Sequence, residues 1–168
     1  MFQVVVKGLD EQTKKLLSFD QIAGKHMRQA MSQSVITVEG RAKVNAPVGV
    51  SGRLRNSMAS EVRGTGVDIT GWIGSTLRAE VYPAVMEYGR APGRMPPPQA
   101  LERWVHLKLR VAEADALGVA FVIARKIARA GIKGQHFLRR GYKESKARIG
   151  DFFEAALRRI TEDLSIGG

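Results

Sequence analysis

Residues 81–98 read VYPAVMEYGRAPGRMPPP and hold five prolines and two glycines. The first half is aromatic and apolar and reads as a strand. The second half reads as a loop, because proline fixes φ, removes a backbone donor and cannot sit inside a paired sheet. The stretch therefore predicts a strand edge over residues 82–89, followed by a stiff arm over residues 90–98. It lies at the centre of the chain, with a mixed helix-and-strand half before it and a helical half after it. It carries no catalytic motif.

Towards the N-terminus, residues 58–63, 67–74 and 77–86 form three strand candidates separated by breaks short enough for hairpins. Alternation is clearest where Val67, Ile69, Gly71 and Ile73 share one face, with Asp68, Thr70, Trp72 and Gly74 on the other. Three successive strands with tight turns imply an antiparallel meander whose apolar face needs a cover. The preceding segment supplies one. Asp20 reads as an N-cap, and Ile22, Met27, Met31, Val35, Val38 and Ala42 recur at helical steps up to Pro47, which ends the helix. A shorter helix over residues 9–19 and a β-branched strand over residues 2–7 (FQVVVK) precede it.

Towards the C-terminus, Pro98 suits the first turn of a helix carrying Leu101, Trp104 and Val105 through about Arg110. A second helix starts near Asp115, with Leu117, Ala120, Phe121, Ala124 and Ile127 apolar, and stops at Gly131. After a glycine-bounded connector over residues 134–141, a last helix runs from about Tyr142 to Leu164, with Gly150 inside it. The expected fold is a single α+β domain, residues 1–168. It comprises a small antiparallel sheet (the three-strand meander plus the N-terminal strand) packed on a long helix, and a helical C-terminal half. Its parts are helix and sheet over 1–89, arm over 90–98 and helices over 99–168.

Composition narrows the function classes. The 168 residues include no cysteine, which excludes disulfides, thiolate metal sites and cysteine nucleophiles. No stretch approaches the roughly 20 apolar residues of a membrane span, and the N-terminus lacks the basic leader of a signal peptide. Charge is the abnormal property: 27 Lys and Arg against 16 Asp and Glu give +11. Arg125, Lys126, Arg129, Lys133, Arg139, Arg140, Lys143, Lys146 and Arg148 face a single acid, Glu144, within 24 residues. Such a field favours a polyanion or an acidic partner. Only Phe137 and Tyr142 interleave with it, so base stacking is poorly supplied.

The residues argue against chemistry. His26, His106 and His136 lie far apart without metal-ligand spacing. Glu61, Asp68, Glu80 and Glu87 fall on or near predicted strands, where two carboxylates could converge, but Glu61 and Asp68 read equally well as solvent-face residues and catalysis is not expected. The glycines of residues 49–54 (GVSGRL) and 64–71 (GTGVDITG) do not open a helix as phosphate-cradling loops must. No catalytic, cofactor or metal residue is predicted.

Three blocks together resemble the siphophage neck or tail-component family typified by gene product ten of a lambdoid phage. Residues 45–57 (NAPVGVSGRLRNS) are similar to its helix end, proline and Thr-Gly-x-Leu-x-x-Ser loop, with Ser51 in place of the threonine. Residues 82–98 are similar to its Tyr-Ala-x-x-x-Glu-x-Gly-Thr strand and proline-rich arm, with Pro83 for alanine and Arg90 for threonine. Residues 124–137 (ARKIARAGIKGQHF) resemble its helix, glycine turn and aromatic before the last helix.

The resemblance implies a non-enzymatic structural protein of the virion, without cofactor. It would work in head–tail joining or tail completion, made in the bacterial host cytoplasm and residing at the head–tail junction or tail top. The implied partners are copies of itself in a homo-oligomeric ring, portal or head-closure and tail proteins, and nearby packaged DNA, with no membrane. Leu54, Tyr82, Glu87, Tyr88, Arg90, Pro92, Pro96 and Pro97 are the expected subunit contacts. Arg125, Lys126, Arg129, Lys133, Arg139, Arg140 and Lys143 are the expected contacts to a polyanion or acidic partner. The charge alone also fits an alternative, a basic nucleic-acid-binding module of the cytoplasm.

Overall fold

The computed structural model describes residues 9–77 and 80–166. The chain runs through helix α1 (Leu9–Asn45), a short α2 (Arg53–Asn56), strands β1 (Met58–Thr65) and β2 (Asp68–Ser75), and α3 (Tyr82–Tyr88). There follow β3 (Gly89–Arg90), α4 (Gln99–Leu109), α5 (Glu113–Ala130), β4 (Ile132–Lys133) and α6 (Phe137–Ile166). β1 and β2, joined by a two-residue turn, pair with each other, and β3 pairs antiparallel with β4. The fold is α+β, with small antiparallel sheets, a long N-terminal helix and a helical C-terminal half.

The sheet differs from expectation. The third predicted strand, residues 77–86, is not a strand where the structure describes it, and the supposed edge over 82–89 is helix α3 up to Tyr88, with only Gly89 of it in a strand, β3. Pro83 occupies its first turn. A proline there sacrifices an amide that has no intrahelical acceptor, whereas inside a strand it would break the ladder. The meander is thus a two-stranded hairpin, and the predicted strand over residues 2–7 lies outside the described residues.

Helix boundaries move as well. Asp20 caps nothing, because the two predicted N-terminal helices are one 37-residue helix. α5 opens at Glu113 with Asp115 in its first turn, and α6 begins five residues before Tyr142. Gly131 closes α5 as expected, its N–H donating to the Ile127 carbonyl.

The contacts gather in two compact units instead of following the linear division at residues 89–98. α1, the hairpin and α6 each contribute residues to both. The first unit comprises residues 1–37, 60–73 and 145–168. There the hairpin lies against α1 through glycines. A Cβ at Gly71 would meet Val35 Cγ1 at 2.5 Å, and one at Gly24 would meet the backbone of Gly66 at 2.8 Å. Arg28 donates to the Gly64 carbonyl, and buried His26 donates through Nε2 to Asp163 at 2.8 Å, tying α1 to α6.

The second unit comprises residues 38–59 and 74–144. One core there gathers Ala42, Ala46, Leu54, Met58 and Phe137, with Met86 and Leu138 against it. Another lies in the α4–α5 hairpin around Val105, Ala116 and Ala120. Alanines at these contacts let helices approach closely, as ridge-and-groove packing requires of small side chains.

Two glycines of α1 are expected to respond with opposite signs in urea denaturation. Gly24→Ala pushes a methyl into the backbone of the hairpin turn and lowers stability by about 1–3 kcal/mol. Gly40 has open space around its Cβ direction, so Gly40→Ala raises stability by about 0.5–1 kcal/mol.

Candidate functional site

The second unit is organised where α3 meets the start of α6. Glu87 is 4% exposed, and its carboxylate accepts the amides of Leu138 at 2.8 Å and Arg139 at 3.2 Å. Those are the second and third residues of α6, whose amides have no intrahelical acceptor. A negative charge at a helix N-terminus is further favoured by the helix dipole. Glu87 thus caps a helix that begins 50 residues later in the chain.

The backbone completes the junction. Gln135 N donates to Met86 O at 2.8 Å and His136 N to Glu87 O at 3.1 Å. Gly89 pairs with Lys133 and Arg90 with Ile132. Gly93 N donates to Ala128 O at 2.8 Å, so the base of the arm is tied to α5. The two segments cross so closely that a Cβ at Gly134 would lie 2.6 Å from the Tyr88 carbonyl carbon and 2.7 Å from Glu87 O.

Beside this junction lies an apolar groove of about 550 Å3. Its walls are residues 47–49, Tyr82, Val85 and Met86 of α3, Arg90 and Pro96 of the arm, Leu101, Trp104 and Lys108 of α4, Ile123 and Ile127 of α5, and Ile132 with Gln135. A second cavity of about 450 Å3 shares Gly49, Tyr82, Leu101 and Trp104. Burial raises the Tyr82 phenol above its ordinary pKa of 10, because a desolvated phenolate is disfavoured. Volume and lining are those of a binding groove, with few polar groups at its edge.

The predicted contact residues divide. Leu54 is 2% exposed and belongs to the core with Phe137, and Glu87 is consumed by α6, so both serve the interior. Tyr82 is part-exposed on the groove, and Tyr88 is 77% exposed. Arg90 donates to the Arg94 carbonyl and is half-buried. Pro92 and Pro97 are exposed, while half-buried Pro96 lines the groove.

The seven basic contact residues, from Arg125 to Lys143, are all exposed, and Arg140 donates to Asn45 at 2.9 Å. Of the carboxylates weighed for chemistry, Glu80 is held by Arg53 and Glu61 by Arg63. No cluster of three or more His, Asp or Glu suited to a metal occurs among the described residues. Trp104, expected only on the apolar face of its helix, and Lys108, not expected at any site, both line the groove. Their four-residue spacing on α4 was the available signal, since it places both on one face.

Compared with protein-family models, curated proteins and solved structures, the chain matches none. No described helix is long and apolar enough to cross a membrane.

If the crossing at Gly134 holds the junction, Gly134→Ala should cost about 1–3 kcal/mol in chemical denaturation. Gly118→Ala, in open space on α5, should be neutral or stabilising in the same measurement.

Proposed function

We propose that this chain is a structural subunit of a tailed phage or prophage particle, acting in the neck or in tail completion by self-assembly and docking. One observation carries the reading. The three blocks that resemble the family, separated by tens of residues, each contribute to one groove: residues 47–49 from the first, Tyr82, Val85, Met86, Arg90 and Pro96 from the second, and Ile127, Ile132 and Gln135 from the third. A groove built jointly from separated blocks is the arrangement expected of a docking surface rather than of three independent turns.

Its neighbourhood suits assembly. Tyr88, Met95 and Trp104 are exposed beside a proline arm whose stiffness lowers the entropic cost of ordering on contact. Aromatic and Met side chains are those enriched at protein interfaces. On this reading the chain has no enzymatic activity and takes no cofactor. Its partners are other copies in a ring and the portal-side and tail-side proteins, with the basic cluster facing packaged DNA or an acidic neighbour.

Mass spectrometry of purified particles is the test, and the chain is expected there in a fixed ring-like copy number. Its absence from mature particles would overturn the reading. Tyr88→Ser combined with Met95→Ser, both on exposed side chains, should leave the fold unchanged by circular dichroism and stop particle completion. Exposure of the basic cluster favours the second reading, a cytoplasmic nucleic-acid-binding module. That reading requires duplex affinity falling steeply with salt, and no binding at low salt removes it.

A further inference from the structure

We infer that a second copy of this chain docks on the exposed face of α5, the two helices lying antiparallel about a two-fold axis. α5 reads EADALGVAFVIARKIARA. Its buried residues are Ala116, Ala120 and Ala124, which turn one face into the second unit. The opposite face is uncovered and carries large apolar groups, Leu117 at 43%, Phe121 at 47% and Val122 at 55% exposure. Exposed apolar groups in such a cluster mark an interaction surface rather than ordinary surface scatter.

The order of residues along that face selects the partner. Positions 113, 117, 121, 125 and 129 form one four-residue ridge, reading acid, apolar, apolar, base, base. The adjacent row, 114, 118, 122 and 126, reads Ala, Gly, Val, Lys and is open at Gly118, where a Cβ would meet nothing within 4 Å. Ridges of this kind pack into the rows of a second helix.

Antiparallel docking of a second copy places Glu113 and Asp115 opposite the partner's Arg125, Lys126 and Arg129. It also seats Phe121 over the partner's Gly118. A parallel copy would set like charges together, and a uniformly acidic partner would face Glu113 and Asp115 unfavourably. None of these five charged residues takes part in an ion pair among the described residues.

The contact is isologous, as two-fold pairs require. It does not rest on the virion reading, since it concerns the isolated chain. It assigns three cations of the basic cluster to protein rather than to DNA.

Sedimentation equilibrium of the purified chain tests it. The expected result is a reversible two-chain species weakened by salt. Arg125→Glu with Arg129→Glu should raise the dissociation constant at least about tenfold. Adding Glu113→Lys and Asp115→Lys to the same chain should restore pairing. Mixing the acid-only and base-only variants should give one-to-one pairs. Gly118→Gln, which fills the notch from open space, should weaken pairing with an unchanged circular dichroism spectrum. A single-chain mass at all concentrations up to about 1 mM, or a pair indifferent to both charge changes, overturns the proposal.

Discussion

The carboxylate of Glu87, buried at the start of α6, fixes the geometry of the second unit. A buried charge is tolerated only when its lone pairs are satisfied. Here two amides that the helix itself leaves unpaired, those of Leu138 and Arg139, do so. Hydrogen bonds to charged groups contribute about 1.5–3 kcal/mol, so this one side chain links two segments distant in sequence. Around it, the backbone bonds from Gln135 and His136 and the β3–β4 pairing hold the arm's base. The groove walls inherit their positions from that junction: α3 precedes it, the arm follows it, and Ile132 and Gln135 flank its far side.

Close approach is the second theme, and it depends on what is missing from side chains. Gly134 lets the two segments cross, and Gly24 admits the hairpin turn against α1. Ala42, Ala116, Ala120 and Ala124 are fully buried. With so much of the interior built from small residues, many large apolar side chains stay outside, including Tyr88, Val81, Val44 and Phe121. For a chain that works by assembly, as proposed here, those are the groups that neighbours would cover.

The sequence made the helical half legible because its signals are local. Gly131 marks the end of α5, and the Leu101, Trp104 and Val105 face marks α4. The α+β class, the long N-terminal helix and the β1–β2 hairpin followed from periodicity. The third strand failed because β-branched and aromatic residues at 81–88 outweighed Pro83, whose position in a helical first turn was the better guide. Asp20 misled because capping residues also occur inside helices, and here its carboxylate lies against Gly66 of the hairpin turn. The role of Glu87 was illegible for a different reason. Nothing within a few residues of it says that its partners are the amides of residues 138 and 139, since that pairing exists only after the chain has folded. The residue was singled out by resemblance, but as a surface contact, and it lies in the interior.

The central claim is that the Glu87 carboxylate is the cap of α6 and the tie on which the groove depends. Native-state hydrogen exchange of Glu87→Ala against the parent chain tests it most directly. The account predicts that protection falls first and furthest at the amides of Leu138, Arg139, Gln135 and His136, with global stability lower by about 2–3 kcal/mol. Unchanged protection at those four amides, with unchanged stability, would contradict it.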